Sequence, residues 1–305
     1  MSNVLGANQY GKAENRVVRI YRDTARHEIR DLNVSTSLRG EFTDAHVAGD
    51  QSQVLPTDTQ KNTAFAYAKK HGISSPEDYA IALGRRLLDA APAATGAQIQ
   101  VEEYAWDRIQ VDGEGHDHAF VRRGTETRTT AVTVECRGAD QKVWVVSGLQ
   151  DLVVLKSTGS EFRGFLKDEY TTLQETDDRI MATSLTARWR HNGTSPEPTT
   201  DWDATYEDVR RLLLATYATH HSLALQQTLY AMGEAVLDTR SDIVEVRFSA
   251  PNKHHFLVDL SPFGLENNGE VFVAADRPYG LIEAAVARDD APDPGSAWVG
   301  LPGFC

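Results

Sequence analysis

The chain holds only two cysteines, Cys136 and Cys305, in 305 residues. They are too few and too widely spaced for a disulfide framework or a cysteine-based zinc site, so a reducing compartment is expected. No stretch approaches the roughly 18 consecutive apolar residues of a membrane span. The N-terminal MSNVLGANQYGK also lacks the apolar centre of a signal peptide. A cytoplasmic protein without a membrane partner is expected, and the C-terminal GLPGFC is not a Ser-Lys-Leu type of peroxisomal address. Positive charge is in deficit as well: 31 Lys and Arg stand against 44 Asp and Glu, a formal net charge of -13. Such a surface repels phosphate backbones, and no basic cluster interrupts it, which argues against nucleic acid as a partner. Also missing are a Gly-rich phosphate loop, a nucleophile elbow, HExxH and a paired-cysteine metal motif. A ligand site here has to be assembled from side chains far apart in the chain.

What is present suffices for a core. Hydrophobic residues make up 41% and charged residues 25% of the chain, a globular composition whose length suits two domains or one large one. Short β-type stretches open the chain at Val17 to Tyr21 and at Leu32, Val34, Thr36, Leu38. The pattern turns helical from Lys61 to His71, with Lys69 and Lys70 in the last turn and Gly72 as a stop. A second helix is marked by Ser75 as N-cap, Pro76 at the first helical position, and Glu77 and Asp78 facing the positive helix end. Strands follow at Ile99 and Val101 and from Trp106 to Phe120, the latter folded about Asp112-Gly113.

The second half repeats that order. Alternation at Thr130 to Cys136 and at Met181 to Trp189 predicts strands. Val209, Leu212, Leu213, Thr216 and Tyr217 fit one helical face, and Leu225, Leu229, Met232 and Val236 another. Alternation at Val244, Val246, Phe248 and from His254 to Leu260 predicts closing strands. A structural tandem repeat is expected on element order alone, with domains at 1–140 and 141–305 and a Pro/Thr/Gly loop at 192–201.

One segment, LVVLKSTGSEFRGFLKDEYTTLQETDDR from Leu152 to Arg179, joins an apolar strand to a polar, aromatic-studded loop. Its order of Leu-Lys-Ser-Thr, Ser-x-Phe, Phe, Tyr, Leu and a final Arg resembles the signature of the uricase family. Tyr10-Gly11-Lys12, Thr57-Asp58 with Lys61-Asn62-Thr63, Leu225-Gln226 and Pro251-Asn252-Lys253-His254 resemble the same family, across roughly residues 8 to 288. The resemblance implies an α+β fold: tandem tunnelling-fold (T-fold) domains, antiparallel sheets with helices packed on one face. It further implies a homotetramer with active sites at subunit interfaces. The implied reaction is oxidation of urate by O2 to 5-hydroxyisourate and hydrogen peroxide, with no metal or organic cofactor.

The residue types suit that chemistry. Urate is a planar anion, and a guanidinium such as Arg179 offers two parallel donors and a permanent charge. Gln226 carries both a donor and an acceptor for a purine edge. The resemblance implies that Phe162 stacks on the ring and that Leu225 and Leu173 wall the pocket. The resemblance assigns proton relay to Lys12 and Thr57, with His254 nearby. Desolvating an ammonium disfavours its charge and lets the amine accept a proton, and imidazole is the side chain that passes protons near neutrality. Asn252 is implied to hold dioxygen over the purine plane, while Thr57 and Asp58 are implied to enter from a neighbouring subunit. Taken alone, each has a blander reading: Lys12 as a surface lysine, His254 as a structural histidine, Asn252 as a turn residue, Gln226 as solvated, Arg179 as half of a salt bridge. Two alternatives stay open. His116 and His118 alternate on one strand and could bind zinc in a pterin or purine enzyme of the same fold, and a purine-binding tetramer could keep the fold without turnover.

Overall fold

The computed structural model describes residues 3–193, 200–275 and 277–301 and divides into two compact units. Most of the expected loop at 192–201, and Cys305, lie outside the described residues. The first unit takes the chain up to Gly148, then Arg190–Tyr206 and Pro292–Leu301. In order it contains β1 (Tyr10–Tyr21), β2 (Glu28–Gly40), α1 (Thr43–Val47), α2 (Thr57–Lys70), α3 (Pro76–Ala90), β3 (Ala94–Glu103), β4 (Trp106–Val111), β5 (Glu114–Arg122), β6 (Thr127–Glu135) and the first half of β7 (Lys142–Lys156). β1, β2, β3 and β6 pair antiparallel in that order, and β4 and β5 form a separate hairpin. The hairpin turns at Asp112 and Gly113, both at positive φ, the backbone a tight two-residue turn demands.

α3 begins as its sequence predicts: the Ser75 hydroxyl accepts the Asp78 N–H at 3.0 Å. Its Tyr79, Leu83 and Leu87 are buried against Ile99, Val101, Val132 and Val134, where each fully buried aliphatic side chain contributes about 1.5–3 kcal/mol. α2 starts at Thr57, four residues before the apolar periodicity suggests. Its first turn is polar, and its inward residue there is Gln60, whose Oε1 accepts from the Thr36 hydroxyl at 2.8 Å. The unit also buries an ion cluster: Arg128 donates to Glu77 at 2.7 Å and Asp203 at 2.6 Å, and Glu77 takes two more hydrogen bonds from Thr130 and Ser147. The segment Pro292–Leu301 lies on the sheet face away from α3, with Ala297, Trp298 and Leu301 on Ala131, Trp144 and Val146.

The second unit comprises Leu149–Trp189 and Glu207–Ala291. It holds the rest of β7, most of β8 (Met181–His191), α4 (Trp202–Thr219) beyond its first turn, α5 (Leu225–Thr239), β9 (Ile243–Pro251), β10 (His254–Leu257), β11 (Phe272–Ala275) and β12 (Leu281–Ala287). β7, β8, β9 and β12 are neighbours in that order, with β9 and β12 antiparallel, and β10 and β11 form a hairpin apart. Strand, strand, helices, strand, hairpin, strand therefore occurs twice, and in both cases the sheet runs first, second, third, last. Antiparallel sheets with helices against them make this the α+β class expected from the sequence. α5 packs so closely on β12 that a Cβ on Gly233 would lie 2.6 Å from Val286.

Candidate active site

Each unit carries one group of the sequence-predicted residues. In the first unit, Lys12 sits near the start of β1 where the register with β2 slips between Lys12 and Asn15. Its N–H donates to the Thr36 hydroxyl at 3.3 Å, and that hydroxyl bonds Gln60 of α2. Gln60 in turn donates from Nε2 to the Leu55 carbonyl at 3.4 Å, just ahead of Thr57. The Lys12 backbone and the start of α2 are thus tied through one buried relay. Thr57 is half-buried at the first position of α2, and Asp58 is exposed in the same turn. Asp58 pairs with Lys61 and accepts from Asn62 at 2.9 Å. The Lys61 hydrogen bond and charge, with a smaller contribution from Lys12, hold the Asp58 carboxyl below its usual range.

In the second unit, the segment after β7 doubles back on itself. Phe162 and Thr176 exchange backbone hydrogen bonds of 3.0 and 3.1 Å, and the Arg179 N–H donates to the Ser160 carbonyl at 2.8 Å. Asp178 braces this loop by accepting from the Thr158 hydroxyl at 2.8 Å and from the Gly159 N–H at 2.9 Å. The Thr158 bond leads in holding the Asp178 carboxyl low. The guanidinium of Arg179 lies over the Phe162 ring, 5.1 Å from its centroid, while Phe165 stacks on Phe162 at 5.0 Å. Arg179 is half-buried, its Nε has no hydrogen-bond partner, and no carboxylate pairs with it among the described residues. Burial alone lowers its pKa. Arg128 of the first unit shows the contrast, because its burial is answered by three carboxylates. A desolvated cation without a counter-charge is the arrangement that awaits an anion.

The other elements meet at the start of β8, directly after Arg179. Thr183 bridges Asn252, and the Lys253 N–H donates to the Ala182 carbonyl at 2.8 Å, which brings the end of β9 alongside. The Asn252 N–H donates to Gly280 at 2.8 Å, leaving its side chain out of the ladder. His254 opens β10, its ring stacked 5.6 Å from that of Phe256. The carbonyl of Met181 accepts from the Tyr217 hydroxyl of α4 at 2.6 Å. α5 follows with Leu225 buried and Gln226 exposed in its first turn. That turn has no acidic residue and no side-chain cap, so its N–H groups remain available to an anionic or carbonyl acceptor. Leu173 is 57% exposed. Sequence reasoning missed the scaffold of this group, namely Ser160, Ser222 and Thr228, all fully buried, and Thr183, buried with an unpartnered hydroxyl. Ser160 and Ser222 stand in polar stretches with no periodic signal, and the patterns that mark β8 and α5 identify those elements without marking the Thr183 and Thr228 hydroxyls.

His116 and His118 lie on β5 with ring centroids 4.5 Å apart, and His27 is 5.9 Å from His118. They border an open cleft of about 410 Å³ with Arg26, Glu114 and Asp117. Among the described residues no group of three His, Cys, Asp or Glu is arranged to hold a metal. The third ligand that zinc needs is therefore not supplied by this cleft.

The Uricase family model matches residues 8–133 and 145–283, one match for each half of the element repeat. A uricase of Arthrobacter globiformis is 52% identical over 302 residues, covering 99% of this chain and 96% of its own length. A uricase of Schizosaccharomyces pombe is 38% identical, covering 92% and 96%. The crystal structure of the Arthrobacter globiformis uricase superposes with a TM-score of 0.90 at 51% identity, covering 98% of this chain and 99% of that one. A uricase structure from Bacillus fastidious gives 0.80 at 26% identity, covering 92% and 93%. On a family match to both halves and on identity over nearly its whole length, this chain belongs to the uricase family.

Proposed function

We propose that the protein is a urate oxidase of purine degradation: urate, dioxygen and water give 5-hydroxyisourate and hydrogen peroxide. The purine loses two electrons, dioxygen gains them, and water supplies the new hydroxyl. The observation that carries this reading beyond family membership is Arg179, desolvated over Phe162 without a carboxylate. That pair suits a planar anion, with the fork on the purine edge and the ring on its face. Gln226 and the first-turn N–H groups of α5 complete the edge contacts, and Leu225 walls the pocket.

The chemistry needs protons moved and dioxygen placed, and the substrate itself supplies the electrons. Lys12 with Thr57 takes a proton from urate and returns one toward peroxide, His254 relays it, and Asn252 holds dioxygen and then water above the ring. The protein's contribution is orientation and electrostatic stabilisation in a site that excludes solvent. Lys12, Thr57 and Asp58 belong to the first unit and the purine-binding group to the second. In this proposal a homotetramer brings the first group of one subunit against the second group of another, in the two tunnelling-fold domains 1–140 and 141–305. No metal or organic cofactor takes part, and the enzyme works in the cytoplasm without nucleic acid or membrane. Urate consumption with matched oxygen uptake and peroxide release tests the reading. Tight urate binding without oxygen uptake would leave a purine-binding protein instead.

A further inference from the structure

We infer that Ser222 and Thr228 form a positioning clasp, setting the register between the Phe162–Arg179 loop and the Gln226 end of α5. The inference rests on the assignment of those three residues to the purine. Two fragile elements have to be held at one spacing: a loop outside regular structure and the first turn of a helix. Ser222 is fully buried and touches both. Its N–H donates to the Gly159 carbonyl at 3.0 Å, and its carbonyl accepts the Glu161 N–H at 2.7 Å, so it forms a parallel bridge with Ser160. Ser160 is the residue whose carbonyl takes the Arg179 N–H, and Phe162 lies two positions on. The backbone of Ser222 therefore belongs to the arm that carries the cation and the aromatic ring.

Its hydroxyl belongs to the other arm. Thr228, fully buried on α5, donates from Oγ1 to Ser222 Oγ at 2.7 Å, and Ser222 Oγ donates onward to the Ala224 carbonyl at 3.0 Å. One donated proton from each hydroxyl accounts for this chain of bonds, with the Ser222 hydroxyl accepting as well as donating. Ala224 is the N-cap of α5 and makes no side-chain cap, and its carbonyl also accepts the Thr228 N–H at 3.2 Å. Leu225 and Gln226 follow at once. The two hydroxyls thus fasten the helix end to the loop through the Ala224 carbonyl and leave the first-turn N–H groups of α5 uncapped.

The test compares urate kinetics and anaerobic urate binding for the wild type, Thr228→Val, Thr228→Ser, Ser222→Ala, Gln226→Ala and Thr228→Val in the Gln226→Ala background, with thermal melts to establish folding. Thr228→Val and Ser222→Ala should raise KM about threefold to tenfold, the scale of one buried hydrogen bond, with kcat within about twofold. Thr228→Ser keeps the hydroxyl and should restore the wild-type KM. In the Gln226→Ala background Thr228→Val should raise KM by a smaller factor than in the wild type, because Gln226 is one of the contacts whose place the clasp sets. An unchanged KM in folded Thr228→Val, or in Ser222→Ala where Thr228→Val does not fold, overturns the clasp. So does a KM rise in the Gln226→Ala background as large as in the wild type. A wild-type protein that neither turns over nor binds urate removes the function and the clasp together, whereas an active wild type with an unchanged clasp variant removes the clasp alone.

Discussion

Replacing Arg179 by Met separates two readings of a buried arginine, because stability and activity should move in opposite directions. The methionine keeps an unbranched apolar stem against Phe162 and removes the charge. In the unliganded protein the guanidinium has an unpartnered buried Nε and no carboxylate, so its removal relieves a desolvation cost of about 1–3 kcal/mol. Lost with it is the cation over the Phe162 ring, about 0.5–1 kcal/mol. The net is zero to about 2.5 kcal/mol of stabilisation, a melting temperature unchanged or higher by a few degrees. Urate binding should instead lose two charge-assisted hydrogen bonds of about 1.5–3 kcal/mol each, so kcat/KM falls by about two orders of magnitude or more. Scanning calorimetry without ligand and urate titration on the same preparation read both quantities. A fall in melting temperature equivalent to more than about 1 kcal/mol, with urate affinity retained, would show Arg179 to be structural and refute the reasoning.

Other consequences follow from the packing and the charges. Removing Arg128 (Arg128→Met) leaves Glu77 buried without its cation and should cost about 3–5 kcal/mol in chemical denaturation, while unchanged stability would contradict the ion-cluster account. Asp203 is partly buried, which raises its pKa, but hydrogen bonds from Arg30 and Arg128 and their charges outweigh that burial and leave it lowered. A carboxyl depressed in the folded state stabilises above its unfolded pKa and loses that contribution as pH falls through the folded one. Stability should therefore decline below about pH 4, with a shallower acid limb in Asp203→Asn. Gly233→Ala drives a Cβ into Val286 and should cost about 1–3 kcal/mol, recovered in part by adding Val286→Ala; a neutral single variant would mean α5 and β12 can separate freely.

The sequence made much of this architecture legible where the signal is periodic or local. Ser75-Pro76-Glu77-Asp78 announced α3 to the residue, and Asp112-Gly113 announced the β4–β5 turn. α2 was read four residues short because its first turn holds Gln60, a polar residue made inward-facing by Thr36, and polarity hides a buried position from a hydrophobic pattern. β12 and the packing of Pro292–Leu301 depend on distant partners, β9 for one and Gln98, Glu135 and Trp144 for the other, so no local pattern could place them. The candidate site residues came from a resemblance and not from spacing, since Arg179, Gln226 and Asn252 lie far apart in the chain. The structure adds what isolated residue types could not say: among the described residues no carboxylate pairs with Arg179, Lys12 shares a relay with α2, and Ser222 stands between loop and helix.

The most direct measurement is urate decay by purified protein after chelator treatment, with oxygen uptake and peroxide followed in the same cell. The account predicts chelator-resistant decay with one dioxygen consumed and one peroxide formed per urate. Urate bound without decay, or decay abolished by the chelator, would contradict it.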